Sequence, residues 1–385
     1  MYNYTNIFNL RRCLKLKDNI KTILILTAQF GAGHTSAANA IKDYLLDENP
    51  DYNIIIRNFI TISIPQMNKP MVTFYENNTK YTPVLYNSYY YFRKSVDTKH
   101  DISHRLYAPK VSEYINKIKP DIIVSTFPIA CGCVNEFKLK NPGIDMPSVT
   151  VVTDVVDSNE WIYEKTDMYF VPTSEIKNRF VHKGISPESI KVTGVPVDKR
   201  FNLEEKTESN YRYRLLLMGG GRGLFEFDDD FIYWIDNFVS KYQDLLKVTI
   251  VTGKNHKLYK TLTEKYPLKN IEVLGFVDNM YELILDHDLM FTKPGGATLF
   301  EAINSKTPVI IKYPKVGQEI ENAKFIIDKG IGVVYKTDKE FQNLLEKLVQ
   351  GKLDSFIEYT KENLEDFKEL IHPENIPEYI EEFFK

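Results

Sequence analysis

The sequence predicts an α/β protein built as two Rossmann-like, doubly wound domains facing a cleft. Three observations carry that expectation. At 385 residues the chain is too long for one compact core and suits about two domains. Short buried-type strand runs alternate with helical segments in both halves, the pattern of parallel sheets covered by helices. Glycines recur where strands end: Gly31 and Gly33, Gly219 to Gly223, and Gly295 with Gly296. In doubly wound sheets ligands bind beyond the carboxyl ends of the strands, so these turns are where function is expected.

Composition narrows the class. Hydrophobic content of 43% with 26% charged residues excludes collagen-like and disordered chains. Cys13, Cys131 and Cys133 form no disulfide framework, and such sparse usage suits a reducing cytosol. Cys131 and Cys133 have the spacing of half a metal site, but no second Cys or His pair stands at ligand spacing, so no metal is expected. No apolar core of signal-peptide length opens the sequence, and no stretch of about 20 apolar residues spans a bilayer. The net charge of −3 conceals an asymmetry: residues 1–120 carry 16 Lys and Arg against 9 Asp and Glu. A basic, aromatic-rich front attracts nucleic acid or anionic lipid. Without a nucleic-acid motif, lipid is favoured.

Residues 1–20 form a basic tail in which Arg11, Arg12, Lys15 and Lys17 interleave with Ile7, Phe8, Leu10, Leu14 and Leu16; it reads as an interfacial helix or a frayed terminus. Residues 21–200 form a first domain. Thr22 to Ala28 is its first strand and leads through Gly31 and Gly33 into a helix over Ala37 to Leu46, so the turn is an anion or sugar site beneath a helix N-terminus. A dinucleotide fingerprint also opens Gly-x-Gly, but Ser36 occupies the third glycine's place and the strand Ile54 to Phe59 ends without an acidic residue. No nucleotide-hydrolase loop is present. His34 is the one residue of this turn able to exchange protons near neutral pH.

Residues 61–120 are dense in aromatics (Phe74, Tyr75, Tyr81, Tyr86, Tyr89, Tyr90, Tyr91, Phe92, Tyr107) interspersed with Lys80, Arg93, Lys94, Lys99, Arg105 and Lys110. Tyrosines of this kind suit a headgroup boundary, or else a buried helical face. Strands follow at Pro120 to Thr126 and Ser148 to Thr153. Asp154 reads either as a partner for His34 or an acceptor hydroxyl, or as a cap for backbone N–H groups.

Pro196 and the polar run Asn202 to Asn210 mark a linker, and residues 211–362 form the second domain. Its strands are Tyr213 to Met218, Val248 to Gly253, Ile271 to Val277, Leu289 to Thr292 and Pro308 to Lys312. Gly219 and Gly220 are placed to line the cleft opposite the Gly31 turn. Asp228, Asp229 and Asp230 suggest a metal pair, or acids suited to a helix start. After Lys293 and Pro294, Gly295 and Gly296 let the backbone approach a ligand while the following N–H groups point out unpaired, an anion site suited to a diphosphate. Glu301, one helical turn past Ala297, suits ribose hydroxyls. Gln318 and Glu319, in a polar segment with Glu321 and Asn322, suit a hydroxyl-rich group. From Gly332 to Lys385 the pattern is helical, with Pro373 and Pro377 as breaks; residues 363–385 are expected to return to the first domain.

Taken together, KPGGATLFEA followed by VGQEIENA resembles the donor-sugar signature of the processive diacylglycerol glucosyltransferases and monogalactosyldiacylglycerol synthases, in glycosyltransferase family 28. The resemblance runs from about Lys21 to Gly332. It implies the architecture called GT-B. It also implies that Gly296, Thr298 and Leu299 hold a nucleotide diphosphate, Glu301 the ribose, Gln318 and Glu319 the sugar, and Phe276 and Val277, at the end of Gly275-Phe-Val, the uracil. The family's Gly-x-Gly-His turn carries over to His34, a candidate to activate the acceptor hydroxyl, with Asp154 beside it. Ala297, Asn322, Gly31, Gly33, Gly219, Gly220 and Gly295 complete the expected substrate-binding set. One departure stands out: the family's Thr-Asp, then histidine, then Trp becomes Thr153, Asp154 and Trp161 with Ser158 nearest the histidine's place.

The resemblance implies an inverting transfer of a hexose from UDP-glucose or UDP-galactose to diacylglycerol, or to a glycosyl-diacylglycerol. This would occur without a cofactor, in the cytoplasm, peripherally on the inner face of the membrane. Its partners would be the UDP-sugar, the lipid acceptor and an anionic membrane surface, and not nucleic acid. The alternatives are a transferase of the same fold acting on a polyprenyl-linked cell-wall precursor, and a non-catalytic UDP-sugar-binding membrane protein.

Overall fold

The computed structural model describes residues 20–82, 84, 87, 88, 90, 91, 94, 103–203, 209–220, 223 and 229–385, with the side chains of 75–81 left aside. The tail through residue 19, Tyr86, Tyr89, Phe92, Arg93, Lys99, Asp228 and the side chains of Tyr75, Lys80 and Tyr81 therefore lie outside the described residues.

Two parallel six-stranded sheets make up the molecule. The first comprises β1 (Thr22–Thr27), β2 (Asn53–Asn58), β3 (Ile122–Ser125), β4 (Ser148–Val151), β5 (Met168–Val171) and β6 (Ile190–Val192), in the order β2-β1-β3-β4-β5-β6. The second comprises β7 (Tyr213–Met218), β8 (Leu246–Val251), β9 (Glu272–Leu274), β10 (Leu289–Thr292), β11 (Val309–Lys312) and β12 (Gly332–Tyr335), in the order β12-β11-β10-β7-β8-β9. The order in which strands are added reverses once in each sheet, between β1 and β3 in one and between β7 and β10 in the other. A crevice opens at such switch points, beyond the strands' carboxyl ends.

The strands form where near-continuous apolar runs can be covered on both faces. In β1, Ile23 and Ile25 pack with Ala38, Ile41 and Leu45, while Leu24 and Leu26 pack on the other face with Phe59, Val111 and Phe137. β7 repeats the arrangement. Leu215 and Leu217 face Ile232 and Ile235, and Leu216 and Met218 face Leu299, Phe300 and Ile303. That second cluster continues into the first domain through Val152, Trp161 and Phe180, so the two domains share apolar core.

Two local expectations change. Gly332–Tyr335 is an edge strand pairing with β11, not the start of helix; Val333 and Val334 are β-branched, and the helical pattern begins only after the Thr337 cap. Pro377 does not break a helix but stands in the first turn of Ile376–Glu381, where its missing N–H costs nothing. Of the acids before the second domain's first helix, Asp229 and Asp230 sit in the first turn of Asp229–Lys241, the position the macrodipole favours. Near the end of the chain, Ile376 and Ile380 are fully buried against Ile23 and Ile25 of the first sheet and Ile41 of the helix Gly33–Glu48. Cys131 and Cys133 are buried in the Pro128–Lys140 helix, where loss of hydration pushes both thiols up, Cys131 to about 12. No helix among the described residues is long and apolar enough to cross a membrane.

Candidate active site

A cleft of about 350 Å³ lies between the two switch points. The first domain lines it with Gly31, Gly33, His34, Thr153 and Asp154; the second contributes Gly219, Gly220, Phe276, Val277, Lys293, Gly295, Gly296, Ala297, Thr298, Glu301, Gln318 and Glu319. Every substrate-binding or catalytic residue expected from the sequence is there except Leu299 and Asn322.

The glycines are needed because the two walls touch at one end. A Cβ on Gly296 would stand 2.0 Å from the Thr153 carbonyl oxygen and 2.9 Å from Asp154 Oδ1. One on Gly33 would meet the Ala297 Cβ at 3.4 Å. Gly31 and Gly220 turn with φ of 82° and 70°, in the left-handed region that glycine enters without strain.

The helix Gly296–Asn304 starts with no side-chain cap from its own chain segment. The Gly296 N–H donates to Asp154 Oδ1 at 3.2 Å. The Leu299 N–H donates to the Gly295 carbonyl at 3.0 Å, and the Leu299 side chain is buried in the shared core. Leu299 therefore does not face the cleft, contrary to its place in the motif. The first-turn N–H groups of Ala297 and Thr298, two residues that line the cleft, have no acceptor within the helix. Among the described residues Lys293 is the only lysine or arginine lining the cleft, and it pairs with Glu319 at 2.8 Å.

His34 lies in the first turn of the helix Gly33–Glu48. Its Nδ1 is 2.9 Å from the Thr126 carbonyl oxygen and 2.8 Å from Thr153 Oγ1. A carbonyl only accepts, so Nδ1 carries the proton and Nε2 the lone pair. Burial holds the imidazole down to about 4, opposed by the Thr126 bond, so the ring is neutral at physiological pH. Phe127 packs edge-on against it at 4.9 Å, and Trp161 stands 6.4 Å away. Asp154 does not supply the partner for His34. Its Oδ1 accepts instead from Gly296 N–H and, at 3.0 Å, from Asn322 Nδ2. Desolvation raises the Asp154 carboxyl to about 6, with both hydrogen bonds opposing.

Asn322 is fully buried and serves as a bridge, not as cleft lining. It donates to the Pro294 carbonyl at 2.9 Å and accepts from Val155 N–H at 2.9 Å. Glu301, on the helix that begins at Gly296, is pushed up to about 7 by burial, with Asp198 adding to the effect. Ser158 is fully buried and does not line the cleft. Sequence reasoning missed Lys293, Thr153, Asp198, Phe201 and Tyr281, which also line the cleft. Lys293 was legible as a cation beside a phosphate-type turn; Asp198 and Tyr281 carried no signal.

Residues 34–197 match the family model for monogalactosyldiacylglycerol (MGDG) synthase, and residues 218–372 match the glycosyltransferase family 28 C-terminal domain. A relative described as processive diacylglycerol beta-glucosyltransferase, from Staphylococcus aureus (strain MRSA252), is 30% identical over 342 residues, covering 86% of this chain and 85% of that protein. Among solved structures, the glycotransferase of kitacinnamycin superposes with a TM-score of 0.61 at 12% identity, covering 95% of this chain and 99% of that one. Acinetobacter baumannii MurG superposes with a TM-score of 0.58 at 12% identity, covering 94% and 98%. These last two similarities speak to the fold, which is GT-B. The chain is a glycosyltransferase and belongs to the processive diacylglycerol glucosyltransferase and monogalactosyldiacylglycerol synthase family, within glycosyltransferase family 28.

Proposed function

We propose that this enzyme transfers a hexose, with inversion, from UDP-glucose or UDP-galactose to the hydroxyl of diacylglycerol or a glycosyl-diacylglycerol, giving a β-glycolipid. The acceptor oxygen attacks the sugar's anomeric carbon, the bond from that carbon to the diphosphate oxygen breaks, UDP departs, and the hydroxyl proton passes to His34 Nε2. The observation that carries this reading is the opposition of His34, neutral and tethered through Nδ1, to the N–H groups of Ala297 and Thr298. Fixed dipoles at the helix start, with Lys293, would stabilise the leaving diphosphate. Glu301 would hold the ribose, Phe276 and Val277 the uracil, and Gln318 and Glu319 the sugar. Asp154 and Asn322 would hold the two walls in register.

A peripheral position on the inner face of an anionic membrane is part of the proposal. It is supported by Met67, Phe74, Val84, Tyr91 and Leu106, all exposed apolar or aromatic residues in the basic first third of the chain. The deciding assay offers purified protein a panel of UDP-hexoses with diacylglycerol or polyprenyl-phosphate acceptors in vesicles and weighs the products. Hexosyl-diacylglycerol with stoichiometric UDP supports the proposal. Product on the polyprenyl lipid alone, or no UDP release with any acceptor, contradicts it.

A further inference from the structure

The helix Gly317–Lys329 presents Gln318 and Glu319 to the cleft in its first turn, yet its N-cap, Val316, has no side chain able to cap it. The cap comes from the other domain. Asn87 Oδ1 accepts from Gly317 N–H at 2.8 Å, and Asn87 Nδ2 donates to the Lys315 carbonyl at 2.7 Å. One amide therefore grips the backbone on both sides of Val316, fixing where the helix starts and how its first turn is rotated. Tyr90, one helical turn further on, is buried against the same point: a Cβ on Gly317 would come within 2.2 Å of its Cδ1. Lys94 continues the line, pairing with Asp157 of the first domain at 2.9 Å and Glu321 of the second at 3.5 Å.

We infer that Asn87 is a positioning residue for the donor sugar: it caps the helix that carries Gln318 and Glu319 and so aims these two side chains at the hexose. The aromatic segment of the first domain thereby reaches across to complete a pocket belonging to the second. This inference rests on the reading of Gln318 and Glu319 as sugar-holding residues. Because Asn87 bonds to the backbone of Lys315 and Gly317, away from Phe276, Val277 and the Gly295 turn in sequence, its removal should separate recognition of the sugar from recognition of the nucleotide.

The test measures calorimetric affinity for UDP-hexose and for UDP, without acceptor, in the full-length enzyme and in Asn87→Ala, Asn87→Asp and Gln318→Ala. Loss of one such hydrogen-bonded cap predicts that Asn87→Ala binds UDP-hexose roughly fivefold to tenfold more weakly, with UDP affinity unchanged. Asn87→Asp, which still accepts from Gly317 N–H but cannot donate to the Lys315 carbonyl, should recover only part of the loss. If Gln318→Ala weakens UDP-hexose selectively but Asn87→Ala does not, or if Asn87→Ala weakens both ligands equally, the positioning role is overturned and the sugar reading stands. If Gln318→Ala itself leaves the difference between the two ligands intact, the sugar reading fails and takes the inference with it.

Discussion

Asp154 accepts the Gly296 N–H at 3.2 Å, so the first N–H of the donor-side helix is capped by a carboxylate from the opposite domain. That bond divides the helix start into a donor used for holding the domains together and two left for a ligand. Asn322, bonded to the same Oδ1, to Pro294 and to Val155, ties both walls to one point.

Asn322→Ala should therefore loosen the interdomain contact. It would leave the Pro294 carbonyl and the Val155 N–H buried without a partner and Asp154 half-satisfied, at a cost of about 3 kcal/mol. Chemical denaturation checks this. An Asn322→Ala protein as stable as the parent would show that water replaces the bridge.

Gly296→Ala should be worse for activity than for the fold of either domain. Its methyl would enter the space of the Thr153 carbonyl, 2.0 Å away, and can be admitted only if the walls part. We expect transfer to fall by at least 100-fold in steady-state assays while each sheet retains its far-ultraviolet signature.

His34→Ala should lower kcat by roughly 100-fold to 10,000-fold, the range of a general base, while UDP affinity stays within a factor of two or so of the parent. A loss confined to KM for the donor would assign His34 to binding. Since burial keeps the imidazole neutral down to about 4, its protonation should not shape the rate between pH 6 and about 8.

The pH dependence should instead come from Glu301. Its carboxyl is pushed up to about 7 in the ligand-free protein, and ribose hydroxyls donating to it would favour the charged form and lower that value on binding. A site whose bound pKa is lower releases a proton on binding, so affinity for uridine nucleotides rises as pH rises toward 7 and then levels off. Calorimetry in buffers of different ionisation enthalpy detects that proton, and Glu301→Gln should abolish its release. An unchanged proton count in the variant would place the ribose elsewhere.

Much of this arrangement was legible in the sequence because strands and glycine turns are written locally. The runs at Thr22, Tyr213 and Leu289 are largely apolar, with Arg214 the one charged residue among them, and a close backbone approach explains the glycines that follow. What stayed hidden depends on contacts remote in sequence. Leu299 stands within the donor motif, but the helical rotation that turns Thr298 toward the cleft turns Leu299 into the core. Asn322 shares a helical face with Gln318, yet the first domain covers it. Asp154 looked equally suited to His34 and to a backbone cap until the opposing loop supplied the Gly296 N–H. Asn87 gave no signal at all, because the helix start that it caps lies in the other half of the chain.

The most direct test of the central claim is a crystal structure of the enzyme with UDP. The diphosphate is expected against the N–H groups of Ala297 and Thr298, the ribose hydroxyls on Glu301, and His34 Nε2 facing the vacant sugar position across the cleft. UDP bound away from Thr298 and Glu301, or a bound state in which the Gly31 and Gly295 turns no longer face each other, would contradict it.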